Sequence, residues 1–176
     1  MIGLVLAFLA ILCGCATTMR NLSAPGAKLP VKLGVKFETT KNTLIAMDEK
    51  VRPEVLKGLS LGFLSVIEIQ TPPPYNQELF SDNDLDGVAI LYLKNVHSYI
   101  PILLNIEGYS VTYKCDLSIY GQKGNLIDFI PLRSKASFRS PVISGFNDKA
   151  KLSKLGDKAA NNLSVDVLEI LYNTFK

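Results

Sequence analysis

Between positions 109 and 119 the chain alternates without a break. Tyr109, Val111, Tyr113, Cys115, Leu117 and Ile119 are apolar or aromatic, and Ser110, Thr112, Lys114, Asp116 and Ser118 between them are polar. Successive side chains of an extended strand point to opposite faces, so the pattern specifies a strand with one covered and one wet face. Gly121-Gln122-Lys123-Gly124 follows as a turn, and residues 126–138 return as the hairpin partner. Pro131 puts that partner at an edge or a bulge, because proline donates nothing to a ladder. A chain built round such a hairpin must supply apolar elements to cover its inner face.

One cover is legible near the carboxyl end, where Leu152, Leu155, Ala159, Leu163, Val167, Ile170 and Leu171 recur at helical spacing. A second, shorter helix is expected with Pro53 in its first turn, Val55, Leu56 and Leu59 facing inward and Gly62 ending it as a left-handed cap. Further strands are expected at 31–38, where Val31, Leu33, Val35 and Phe37 oppose Lys32, Lys36 and Glu38, at 63–69, and at 88–96, which is nearly continuous in apolar residues. The order strand, helix, strand, strand, long hairpin, helix predicts an α+β two-layer sandwich, a mainly antiparallel sheet with two helices on one face. A length of 176 residues suits one domain, and 48% apolar with 20% charged residues excludes a disordered body.

The amino terminus follows a different logic, because no charged side chain precedes Arg20. Residues 2–12 are apolar, but as a helix they cover only about half of a 30 Å hydrocarbon core. That is too short for a span and right for the central region of a secretory signal. Leu12-Cys13-Gly14-Cys15-Ala16 then resembles the bacterial lipobox, in which the thiol of the obligatory cysteine takes a diacylglyceryl group and small neighbours admit the peptidase. This predicts a lipoprotein signal peptide at 1–14, a lipidated tether at 15–30 rich in small residues, Pro and Gly, and a single periplasmic domain at 31–176. Acylated Cys15 would hold the protein on a membrane, since two or more chains anchor stably. Ala16 after the cysteine resembles an outer-membrane sorting signal, with the domain facing the periplasm. Once Cys13 is removed and Cys15 acylated, Cys115 has no disulfide partner.

Little else in the sequence carries chemistry. Asp82-Asn83-Asp84-Leu85-Asp86-Gly87 matches the first half of a calcium loop, but Leu93 stands where the bidentate Glu belongs. Asp82, Asp84 and Asp86 are therefore weak metal candidates, and a solvated turn without metal or cofactor is expected. His97 is the single histidine, no G-x-S-x-G accompanies it, Cys115 falls on the strand face expected to be buried, and the carboxylate pairs lie in polar connections. These point away from an enzyme. A net charge of +3, from 19 basic and 16 acidic residues without basic-aromatic clustering, gives no nucleic-acid footprint.

Two segments stand out as partner surfaces. Residues 71–86 form a long connection with a Pro-rich start, and Tyr75 and Phe80 within it are expected to be exposed aromatic anchors. Residues 99–104 (Tyr-Ile-Pro-Ile-Leu-Leu) are apolar where a connection between strands should be polar. Either the strand continues there with a bulge at Pro101, or Tyr99, Ile100, Ile102 and Leu103 form an outward patch for a partner or lipid surface.

The lipobox Cys15, the strand around 31–37, the short helix running into Gly62-Phe63, Asp86-Gly87-Val88 opening the next strand, the long hairpin and the closing helix together resemble a broad group of small outer-membrane lipoproteins. That group includes the lipopolysaccharide-assembly lipoprotein, auxiliary lipoproteins of envelope transporters and exopolysaccharide-export lipoproteins, whose shared core is similar to the amino-terminal domain of the Tol translocation protein. The resemblance implies a non-enzymatic accessory or scaffold subunit of an envelope assembly, export or surface machine, with an envelope protein or a second copy as partner. It supplies no catalytic residue. The alternative function is a ligand-binding lipoprotein that captures a lipid, glycan or cation. An enclosed pocket lined by polar groups marks the alternative, and a filled core with an apolar outer patch marks the first.

Overall fold

The computed structural model describes residues 27–100, 102–103, 106–141 and 148–176, with side chains at 102–103, 106–107, 140–141 and 148 outside the description. Strands β1 (Leu29–Thr39), β2 (Phe63–Glu68), β3 (Gly87–Tyr99), β4 (Ile102–Leu103), β5 (Ile106–Gly121) and β6 (Leu126–Pro141) form a sheet with helices α1 (Arg52–Gly62), α2 (Gln77–Asn83) and α3 (Asp148–Phe175). The class is α+β, as the element order predicts. The sheet is mixed, however, because β1 lies between β2 and β3 and runs parallel to both. A helix between β1 and β2 returns the chain to its starting end, which makes the pair parallel. The β3–β5 and β5–β6 pairs are antiparallel.

The main core lies between one sheet face and the helices α1 and α3. Leu33 and Val35 of β1, Leu91 and Leu93 of β3, and alternate β5 residues from Tyr109 to Ile119 meet Val55 and Leu59 of α1 and Leu163, Val167 and Leu171 of α3. The 28 residues of α3 extend about 42 Å, long enough to cross the whole sheet. Small residues let it sit close. Ala159 and Ala160 are fully buried, Ser134 Oγ of β6 donates to the Ala159 carbonyl at 2.7 Å, and Ser164 Oγ donates to the Glu54 carbonyl of α1 at 2.6 Å.

Pro53 sits in the first turn of α1, as expected. Winding nonetheless begins earlier, at Lys41, through a 3-10 turn at Lys41–Thr43, a short α turn at Leu44–Ala46 and a π turn at Met47–Val51, which buries Met47 and Val51. A proline inside a helix removes one bond and crowds the carbonyl four residues back. Here the π turn absorbs that strain, with the Arg52 N–H donating five residues back to Met47. Gly62 is not a left-handed cap either, since the helix passes directly into extended Phe63 at φ −120° and ψ 151°.

The second sheet face is half covered. Strand β3 alternates Ala89, Leu91 and Leu93 into the main core against Val88 and Ile90 on the outer face, which explains its nearly continuous apolar run. Residues 69–85 fold over that outer face, and Ile69, Tyr75, Phe80 and Leu85 bury Val88 and Ile90 with help from Tyr120. The connection is therefore not one open loop. It carries α2, capped by the Asn76 side chain accepting from the Leu79 N–H at 3.2 Å, and ended by Asp84 in the left-handed region at φ 52°. Gly124 in the β5–β6 turn, at φ +74°, packs so close that a Cβ there would collide with the Tyr75 carbonyl, so only glycine lets the hairpin turn clasp the segment.

Candidate functional site

The sequence-predicted site residues separate in space. Tyr75 and Phe80 are not exposed anchors: they are 6% and 4% exposed and belong to the outer-face core. The Tyr75 ring meets Tyr120 edge-on at 5.0 Å and Phe80 at 6.4 Å, and its hydroxyl donates to the Thr71 carbonyl at 3.2 Å. Burial, followed by the nearby Tyr120 and Glu38, pushes that hydroxyl up to about 12. These aromatics bind the chain's own sheet, because Val88 and Ile90 need a cover.

Tyr99 and Ile100 lie at the opposite end of β3 and are exposed, Tyr99 by 64%. Backbone pairing settles the course of the next residues: Ile102 faces Glu107 and Leu103 faces Ile106, in the same register as Tyr99 opposite Ser110. The strand thus continues past position 101 as the tip of a hairpin, and the segment is not a free connection. The side chains of Ile102 and Leu103 lie outside the described residues, as does the whole of Cys15.

The acidic run at 82–86 is structural. Asp84 pairs with Lys32 Nζ, while Asp86 accepts from the Lys32 backbone N–H at 2.8 Å and from Gln122 Nε2 at 2.9 Å. Two of the three carboxylates therefore pin α2 and β3 to β1 and to the hairpin turn. Cys115 is buried in the main core, and burial with the Asp116 charge beside it pushes its thiol up to about 12. Such a thiol carries negligible thiolate at neutral pH. His97 is exposed on the outer face opposite Thr112, away from Cys115.

What the fold leaves open is the β6 side of the sheet. Strand β6 is 16 residues long and, among the described residues, pairs in the sheet only with β5, which makes it an edge strand. Leu126, Ile127, Phe129 and Phe138 along it are all more than 40% exposed. Beside the edge a cleft of about 290 Å³ opens to solvent between Phe138, Leu155, Lys151, Lys154 and Lys158. Among the described residues no helix covers the outer sheet face above the level of Ile90, where Glu38 of β1, Tyr92, Lys94, Asn95, His97 and Tyr99 of β3, Lys114 and Asp116 of β5, and Arg133, Lys135 and Arg139 of β6 stand. No sequence expectation included these cations as a site. Their signal was the two-residue period 133, 135, 139 on one strand facing 114 on the next, which becomes readable only once the register is fixed.

Among solved structures, the chain is similar to a minor lipoprotein from Acinetobacter baumannii, with a TM-score of 0.50 at 9% identity over 80% of this chain and 93% of that one. The fold is similar to that of this lipoprotein. A Chlamydia trachomatis protein, CT253, superposes with a TM-score of 0.48 at 14% identity over 84% of this chain and 96% of that one. No protein-family model matches the sequence, and no curated protein matches it. At such identities the likeness is one of fold and carries no site residue across. Among the described residues no helix is long and apolar enough to cross a membrane.

Proposed function

We propose that this protein is an envelope lipoprotein, anchored through acylated Cys15 to the outer membrane and facing the periplasm, that acts by contact as an accessory or scaffold subunit and not as an enzyme. The observation that carries the contact reading is the position of β6 as an edge strand, paired among the described residues only with β5, with exposed Leu126, Ile127 and Phe129 at one end. Such an edge is a template for strand addition by a partner, either an envelope protein or a second copy of this chain. The core between sheet and helices is packed with buried side chains, and the clefts described beside α3 are open grooves, which supports a partner surface over an enclosed ligand site.

The anchor is tested by fractionating cells and weighing the mature chain. The expected product begins at Cys15, carries the mass of its acyl chains, and sediments with membranes, whereas Cys15→Ala is neither processed nor acylated. An intact Met1 on the wild-type protein, or equal processing of the variant, would contradict it.

A further inference from the structure

Above the level of Ile90, strands β3, β5 and β6 carry five cationic side chains on the outer face, Lys94, Lys114, Arg133, Lys135 and Arg139, and one carboxylate, Asp116, which already pairs with Lys94 at 3.0 Å; on β1 beside them Glu38 pairs with Lys36 at 2.8 Å. The chain as a whole carries only +3, so an excess of cations on one face is a local feature. Lys114 and Arg133 sit directly opposite one another on neighbouring strands. Like charges in that position are destabilising. Lysines and arginines on an edge strand commonly guard against aggregation. That role accounts for β6 but not for Lys94 and Lys114, which lie on interior strands.

The face is also flat. Strand geometry puts Arg133 and Lys135 about 7 Å apart along β6, and Lys114 about 5 Å to one side on β5. Thr112, in the middle, is buried beneath its neighbours, so the described side chains close over the strand between the cations. Exposed Tyr99, with a ring and a polar tip, and Ile100 border the cations at the hairpin tip. A planar cationic array rimmed by an amphipathic aromatic matches a membrane surface, where such rings settle at headgroup level.

We propose that this face, centred on Lys114, Arg133 and Lys135, docks flat on a bilayer surface bearing anionic phosphate headgroups. The proposal is compatible with the anchor and, for its orientation, rests on it. The described chain begins at Ala27, held by the Tyr172 hydroxyl donating to its carbonyl at 3.1 Å, and twelve residue steps separate it from Cys15. Those steps reach about 40 Å when extended, and Lys114 lies about 23 Å up β5 from Gly121. The tether is long enough to let the domain lie down on the membrane that holds it.

The test measures binding of the mature chain, residues 15–176 with Cys15→Ala, which carries neither the apolar signal segment nor acyl chains, to vesicles of phosphatidylcholine alone and of phosphatidylcholine mixed with phosphatidylglycerol. Each cation near an anionic surface contributes enough that Lys114→Gln, Arg133→Gln and Lys135→Gln together should lower binding to the mixed vesicles about a hundredfold and leave binding to neutral vesicles unchanged. A triple of equal charge placed elsewhere, Lys41→Gln, Lys57→Gln and Lys123→Gln, should cost less than about a tenth of that effect. Arg133→Glu alone, which sets a carboxylate opposite Lys114 and so removes a repulsion, should weaken mixed-vesicle binding about tenfold or more while staying folded. Equal binding of the parent chain to both vesicles, or equal losses in the two triples, overturns the proposal; the first outcome would leave the face to an acidic protein. Failure of the anchor is read separately, from the mass of the mature chain, and does not alter the vesicle result.

Discussion

Phe80→Ala should destabilise the domain by about 3–5 kcal/mol, the usual cost of emptying a buried aromatic site. Phe80 is one of only six buried side chains in the outer-face core, and it holds α2 against Val88 and Ile90 through Leu85 and the Tyr75 ring. A cluster that small has little means of collapsing round the gap. Tyr75→Ala should fall in the same range, because the ring meets both Phe80 and Tyr120 and the segment it anchors is clasped by the Gly124 turn. Tyr99→Ala, at an exposed position, should stay within about 0.5 kcal/mol of wild type. Urea unfolding of the three variants measures this. A stable Phe80→Ala variant would mean that residues 69–85 do not pack on the sheet.

The second large effect is loss of stability in alkali. Burial, with Asp157 and Cys115 next in importance, pushes the Tyr113 hydroxyl up to about 12 from 10.0, and burial with Asp116 pushes the Cys115 thiol up to about 12 from 9.0. Both folded-state values are raised, so as pH climbs the unfolded chain releases these protons first and is favoured. Their contribution is fully present below about pH 9, where both states keep their protons, and is lost between about pH 9 and pH 12. Each group then costs on the order of 1.4 kcal/mol per pH unit across its own window. The urea midpoint should be level near about pH 8 and fall steeply by about pH 11. Tyr113→Phe and Cys115→Ala, each compared with its own neutral-pH value, should flatten that fall. A wild-type midpoint unchanged across the window would show that neither group is held protonated by the fold.

Much of the architecture was legible because it rests on periodicity. The Tyr109–Ile119 alternation and the Leu152–Leu171 repeat each report one face, and the main core joins those two faces. What escaped was whatever depends on which strands pair. Parallel placement of β1 between β2 and β3 leaves no mark on either strand, and the winding that precedes Pro53 is hidden because its π turn lies in residues that look polar. The exposed-anchor reading of Tyr75 and Phe80 failed for a reason that was available. Val88 and Ile90 point opposite to Ala89 and Leu91, so a strand apolar at all these positions requires cover on both faces, and the aromatic segment just before it is the nearest cover. The cationic face shows the converse. Lys114 and Arg133 are 19 positions apart and look scattered until the β5–β6 register sets them side by side.

The claim at the centre of this account is that the protein works through the open side of its sheet. Photo-crosslinking in the native envelope tests it most directly, with a benzophenone amino acid placed singly at Ile127, Phe129 and Tyr99, and at exposed Lys57 on α1 as the control surface. Discrete adducts of one partner, or of a second copy, should form from Ile127 and Phe129 on the β6 edge and be absent from position 57. An edge that yields no adduct, while position 57 yields the same products as any other site, would contradict it.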